Sequence, residues 1–121
     1  MRVLIADDSL FVRSYLRSII EEAGHQVAGE AGNGQEALNL YVENKPDIVT
    51  MDITMPDVNG LEAIKMIRAH DPNARIVVVS AMGQENIVKE AFALGARGFI
   101  AKPFVPARVL QEIETVGRFK K

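Results

Sequence analysis

The sequence predicts an α/β fold: a five-stranded parallel sheet, doubly wound as (βα)5, with helices on both faces in a three-layer sandwich. Three observations carry this. Five short apolar runs alternate with five longer segments of helical period. Most of the runs are rich in β-branched residues and nearly continuous in hydrophobicity, as parallel strands covered on both faces require. At 121 residues the chain has room for one domain with a single core, so residues 1–121 are read as one unit.

The first run, Val3–Ala6, is broken by Asp7 and Asp8. From Ser9 to Ala23, Phe11, Val12, Tyr15, Leu16, Ile19 and Ile20 form one helical stripe, and Gly24 supplies the stop. The second strand is expected over Gln26–Gly29. Asn33-Gly34 resembles a hairpin turn but is read as a plain loop into a helix over Gly34–Val42, which carries Ala37, Leu38 and Tyr41 and ends before Pro46. The third strand is expected over Ile48–Met51, followed by a turn through Pro56 and Asn59-Gly60. Leu61, Ile64 and Ile67 mark a third helix ending near Asp71-Pro72. The fourth strand, Ile76–Val79, leads to a helix marked by Ile87, Val88, Ala91 and Phe92 and stopped by Gly95. The fifth, Phe99–Ala101, leads to a helix with Pro106 in its first turn and Leu110, Ile113 and Val116 inward. Arg118-Phe119-Lys120-Lys121 gives that helix a basic last turn.

Composition excludes several classes. Hydrophobic residues are 48% and charged residues 25%, which is globular rather than disordered. There is no cysteine, so disulfides and thiolate metal sites are absent and a reducing compartment, the cytoplasm, fits. Two acids interrupt the first apolar run, so it is neither a signal peptide nor a membrane span. A formal net charge of −2 offers no field for nucleic acid.

In open parallel sheets, ligands gather at the carboxyl ends of the strands, where the strand order reverses. Each expected strand is followed there by a polar group. Asp7 and Asp8 follow the first, Asp52 the third, Ser80 and Ala81 the fourth, and Lys102 and Pro103 the fifth. Three carboxylates, a hydroxyl and an ammonium should therefore converge on one edge. Clustered carboxylates cannot all stay ionised unless a cation joins them. Hard oxygen ligands suit Mg²⁺. Metal, donors and a rigid acid together are the parts phosphoryl transfer needs, with Asp52 as the nucleophile.

Taken singly, each residue has a plainer role. Asp7-Asp8 before Ser9 could cap a helix. Asp52 could end a strand, Ser80 could start a helix, and Lys102 could be a solvated charge. His25 and His70 lack a second ligand at sensible spacing, so no metal role is assigned to them. The functional reading rests on joint placement.

These residues resemble a response-regulator receiver domain, of the CheY-like chemotaxis kind, over essentially the whole chain. The resemblance rests on Asp7-Asp8, Asp52 within "MDITMPDVNG", Ser80-Ala81 within "VVVSAMGQ", and Lys102-Pro103 within "IAKPF". It implies a flavodoxin-like fold and a role for Asp52 as acceptor of a phosphoryl group from a histidine kinase like CheA. It implies that Asp8, Asp52 and the Thr54 backbone carbonyl bind Mg²⁺, with Asp7 acting through a metal-bound water. Lys102 would pair with Asp52 and then with the phosphoryl group, which Ala81 would contact through its backbone. Ser80 would move onto a phosphoryl oxygen, and Phe99 would follow by changing rotamer. The Lys102-Pro103 bond would be cis.

The resemblance further implies catalysis only of the chain's own phosphorylation and dephosphorylation. The face of the fourth helix, fifth strand and fifth helix would signal to a flagellar motor switch protein, with Met82, Gln84, Lys89 and Val105 on its exposed part. A dedicated phosphatase is a further expected partner. The chain is expected to be a cytoplasmic monomer touching neither membrane nor nucleic acid. It ends after the fifth helix, so its output is expected through a separate protein. A phosphorelay intermediate outside chemotaxis is the alternative.

Departures from the family pattern are Ser80 where Thr is common, Phe99 where Tyr is frequent, and Thr54 beside the path of the hydrolytic water. Two other chemistries fit less well. A haloacid-dehalogenase phosphatase needs an acid two residues after its nucleophile, where Thr54 stands. A flavin mononucleotide binder would be repelled by Asp7-Asp8.

Overall fold

A computed structural model describes residues 1–118. Along the chain run β1 (Arg2–Ala6), α1 (Leu10–Glu22), β2 (Gln26–Ala31), α2 (Gly34–Asn44), β3 (Ile48–Asp52), α3 (Gly60–His70), β4 (Ile76–Ala81), α4 (Glu85–Ala93), β5 (Gly98–Lys102) and α5 (Pro106–Gly117). The strands form one parallel sheet in the order β2-β1-β3-β4-β5. The chain turns outward from β1 to β2, then crosses back to β3. The order therefore reverses between β1 and β3, and their carboxyl ends flank a crevice that no crossover covers.

The expected single core is divided in two by the sheet. Leu4, Ala6, Val49, Met51, Ile76 and Val78 face Ala37, Tyr41, Ile64, Ile67 and Ala91 of α2, α3 and α4. Val3, Ile5, Ile48, Val77, Val79 and Ile100 face Leu16, Ile19, Ile20, Val109, Ile113 and Val116 of α1 and α5. Side chains alternate along each strand, yet both sets are buried, which is why the strands read as continuous apolar runs.

The helices begin where short polar side chains replace missing backbone partners. Ser9 accepts from the Val12 N–H at 3.2 Å, Asn33 from Glu36 at 2.9 Å and Asn59 from Glu62 at 3.0 Å. Asn33-Gly34 is thus a cap followed by the first helical residue. Both Gly34 and Gly60 are set by close approach. A Cβ on Gly34 would lie 2.4 Å from the Val58 carbonyl oxygen, and one on Gly60 would lie 2.3 Å from that of Asp52. The loop after β3 is pinned at both ends by contacts only glycine permits.

Three expectations are corrected. Phe11 is 79% exposed and Tyr15 40%, so the buried stripe of α1 narrows to Leu16, Ile19 and Ile20. Its first turns face the loop after β5 instead of the sheet: Tyr15 stacks on Phe104, and Phe11 and Val12 border an open pocket with Pro103. In α5 the core positions are Val109, Ile113 and Val116, while Leu110 is only partly buried. Spacings of four and three keep to a helical period of 3.6 better than two threes. The helix stops at Gly117 with Arg118 as its cap, and the expected basic last turn otherwise falls on residues 119–121, outside those described.

Candidate functional site

The strands run further than their apolar patterns. Asp52 pairs with Val79, Ser80 with Ala101 and Ala81 with Lys102, so these residues are the last rungs of the ladder rather than loop residues beyond it. Hydropathy reports where a side chain goes, whereas pairing is made by the backbone, which a polar residue joins equally well. Pairing gives each functional group a strand's rigidity. Asp7 and Asp8 lie past β1, as Thr54 lies past β3 and Pro103 past β5.

The sheet brings the three acids together. Asp7, Asp8 and Asp52 each present a carboxylate oxygen, and these oxygens lie within 4.8 Å of one another. Asp7 and Asp52 are buried, while Asp8 is exposed. Asp7 is held on both sides. Its Oδ1 accepts from the Ser9 N–H at 2.9 Å, its Oδ2 lies 3.2 Å from Lys102 Nζ, and its backbone carbonyl accepts from Arg13 Nη1 at 2.6 Å. Asp52 Oδ1 accepts from the Thr54 N–H at 3.2 Å, and its Oδ2 lies 3.5 Å from Lys102 Nζ. Lys102 thus pairs with Asp52, as expected, and also stands within 3.2 Å of Asp7. The Lys102-Pro103 peptide bond is cis, as expected.

One ammonium among three carboxylates leaves an excess of negative charge. Burial, then the neighbouring Asp7, push the Asp52 carboxyl up to about 6, against the pull of Lys102 and the Thr54 N–H. A group of hard oxygen donors, short of positive charge and open through Asp8, fits a divalent cation such as Mg²⁺.

The other half of the edge is apolar. Ser80, Ala81, Met82, Glu85, Val88, Phe99 and Ala101 line a cavity of about 270 Å³. Phe99 is 37% exposed, with the Arg108 guanidinium 6.0 Å from its ring centroid. The Phe99 N–H donates to Glu112 Oε2 at 2.8 Å, Arg108 Nη1 donates to Glu112 Oε1 at 2.8 Å, and Arg108 Nη2 donates to the Phe99 carbonyl at 3.1 Å. Met82, Lys89 and Val105 are exposed, as expected of that face. Gln84 is not free there. It is half-buried, its Oε1 accepts from the Ala81 N–H at 2.7 Å, and its Nε2 donates to Thr54 Oγ1 at 3.0 Å.

Reading the sequence missed Arg13, Arg108, Glu112 and the inward role of Gln84. The four-residue spacing of Arg108 and Glu112 was a legible signal for a helical ion pair. Nothing local marks Gln84, whose partner Thr54 is thirty residues away.

Comparison with known proteins agrees with this geometry. Residues 3–114 match the family model for the response regulator receiver domain. Chemotaxis protein CheY of Thermotoga maritima is 57% identical over 117 residues, covering 97% of this chain and 98% of that protein. Chemotaxis protein CheY of Listeria monocytogenes is 46% identical over 118 residues, covering 98% of this chain and 99% of that one. Among solved structures, the CheX-CheY-BeF3-Mg complex of Borrelia burgdorferi superposes with a TM-score of 0.92 at 40% identity, covering 96% of this chain and 88% of that one.

Proposed function

We propose, from the premise that this chain belongs to the family of response regulator receiver domains, that Asp52 accepts a phosphoryl group from a histidine kinase and that the modified chain signals in chemotaxis. The single observation that carries the chemistry is the meeting of Asp7, Asp8, Asp52 and Lys102 at the reversal of strand order.

In the transfer, a carboxylate oxygen of Asp52 forms a bond to phosphorus as the bond from phosphorus to the donor's imidazole nitrogen breaks. The electron pair of that bond returns to the imidazole, which takes a proton from water. Asp8, Asp52 and the Thr54 carbonyl would hold Mg²⁺, with Asp7 reaching it through water. The ion would supply positive charge for the crowded carboxylates and the phosphoryl oxygens. The rigid strand end aims Asp52 at the donor. Lys102, already within reach of Asp52, offers its ammonium to the incoming group. Ser80, on the next strand, offers a hydroxyl to a second oxygen, and the Ala81 N–H offers a third donor. The chain thus catalyses only its own modification and its reversal.

The output follows from the neighbouring cavity. Phosphorylation adds roughly −1.5 to −2 of charge at one point. Ser80 moving toward that charge leaves room on its other side, and the cavity gives the Phe99 ring a place to enter. The α4-β5-α5 face changes shape, which biases two packings of one core. A flagellar motor switch protein is the partner this reading assigns to that face, supported by relatives named as chemotaxis proteins. A dedicated phosphatase is a further partner of this reading, and the Borrelia relative, solved with CheX, supports a second protein partner. No helix among the described residues is long and apolar enough to cross a membrane, which is compatible with action in the cytoplasm.

Incubation with acetyl phosphate and Mg²⁺ tests the reading. The wild type should take up base-labile phosphate and gain affinity for the motor protein, and a chelator should stop both. Asp52→Asn should take up none while remaining folded. Full labelling of that variant would remove Asp52 from its role.

A further inference from the structure

The side chain of Gln84 has an odd place. It is the N-cap residue of α4, yet it makes no capping hydrogen bond to that helix. It turns back instead and spans the gap between the loops after β3 and β4. Its carbonyl oxygen accepts from the Ala81 N–H at 2.7 Å, and its amide nitrogen donates to Thr54 Oγ1 at 3.0 Å. Both partners adjoin the reacting acid. Thr54 donates its own N–H to Asp52 Oδ1 at 3.2 Å, and Ala81 follows Ser80 on the strand paired with β3. One amide therefore uses both its donor and its acceptor to close a strap over the phosphoryl site. The turn beneath it is open. Gly83 has φ +88, and no atom lies within 4 Å of where its Cβ would stand.

We infer that Gln84 is a positioning residue that competes with the phosphoryl group for the Ala81 N–H and must release it before the modified state can form. The inference rests on the phosphorylation reading and deepens it. A backbone N–H that donates at 2.7 Å to a neutral amide cannot also donate fully to a phosphoryl oxygen. Modification therefore exchanges one acceptor for a charged and stronger one. The released amide frees the cap of α4, whose residues Glu85 and Val88 line the cavity beside Phe99. The strap thus joins the chemistry at β3 to the start of the helix that borders the output face.

Fluoroberyllate with saturating Mg²⁺, titrated by amide resonances, tests this without turnover; the chain has no tryptophan to report binding. Gln84→Ala should bind fluoroberyllate about three- to tenfold more tightly than wild type, the worth of one hydrogen bond no longer broken. Its Ala81 amide resonance should move in the unliganded protein, which checks the hydrogen bond itself, whereas tighter binding is the result a merely structural role would not give. Gln84→Glu keeps an acceptor for Ala81 but adds charge facing the anion, and should bind about threefold or more weakly than wild type. Equal or weaker binding by Gln84→Ala, or an unmoved Ala81 resonance, overturns the strap. Failure of the wild type to bind, or undiminished binding by Asp52→Asn, overturns the phosphorylation reading and this inference with it.

Discussion

The two halves of the sheet's carboxyl edge are built on opposite terms. Around β1 and β3 the edge is crowded with charge, and most groups are fixed. Asp7 is gripped by Ser9, Arg13 and Lys102, and Asp52 by Thr54 and the close approach of Gly60. Around β4 and β5 the edge is apolar and loosely filled, with a cavity beside a half-exposed Phe99. The contrast separates two requirements. On the proposed function, accepting a phosphoryl group needs rigid groups at fixed distances, whereas passing that event to a surface needs a side chain with somewhere to go.

Three measurements would break or sharpen this contrast. The largest effect is expected at Gly60. A methyl group there would meet the Asp52 carbonyl oxygen at 2.3 Å and the Ile53 Cα at 2.7 Å, so the backbone at the acid must move. Gly60→Ala should cost about 3 kcal/mol in urea unfolding. A loss under about 0.5 kcal/mol would mean that the charged half is not held rigid from below.

The next concerns Asp52 itself. Its folded-state carboxyl is raised from 3.8 to about 6, so the folded protein holds that proton more tightly than the unfolded chain. The stability this provides is complete below pH 3.8 and is lost as pH rises through about 6. Asp52→Asn removes the charge and keeps an acceptor for the Thr54 N–H. With chelator present, it should be about 1–2 kcal/mol more stable than wild type at pH 7, allowing for the solvent that reaches the site. The advantage should fade as the pH is lowered toward 4. An Asn variant no more stable at pH 7 would show that Lys102 already balances the acids.

The smallest effect belongs to the apolar half. Phe99→Ala should cost less than about 1 kcal/mol, while Ile100→Ala, its fully buried neighbour, should cost about 2–5 kcal/mol. Equal losses by thermal unfolding would mean that Phe99 is packed as tightly as the core and has no freedom to move.

The order of elements was legible because burial on both faces leaves a mark that survives in one dimension. Apolar runs such as Val77 to Val79 and stripes such as Leu16, Ile19 and Ile20 repeat at the periods of strand and helix. The acids, Ser80 and Lys102 were legible as a set because each interrupts or follows such a run. Phe11 misled because periodicity tells which side of a helix an apolar residue lies on, not whether the sheet extends beneath that turn. The extra rungs at Asp52, Ser80 and Lys102 were hidden for a related reason, since a backbone ladder is indifferent to side-chain polarity.

The sequence by itself determined the fold and the family pattern, and it marked Asp7, Asp8, Asp52, Ser80 and Lys102 as a set at the strand ends, because those follow from local periodicity and residue type. Tertiary structure alone decided how Lys102 divides itself between Asp7 and Asp52, that room exists beside Phe99, and that Gln84 reaches across to Thr54. Each of these depends on distances between strands and loops remote along the chain. Such distances are set by packing of the whole sheet, and no window of residues contains them.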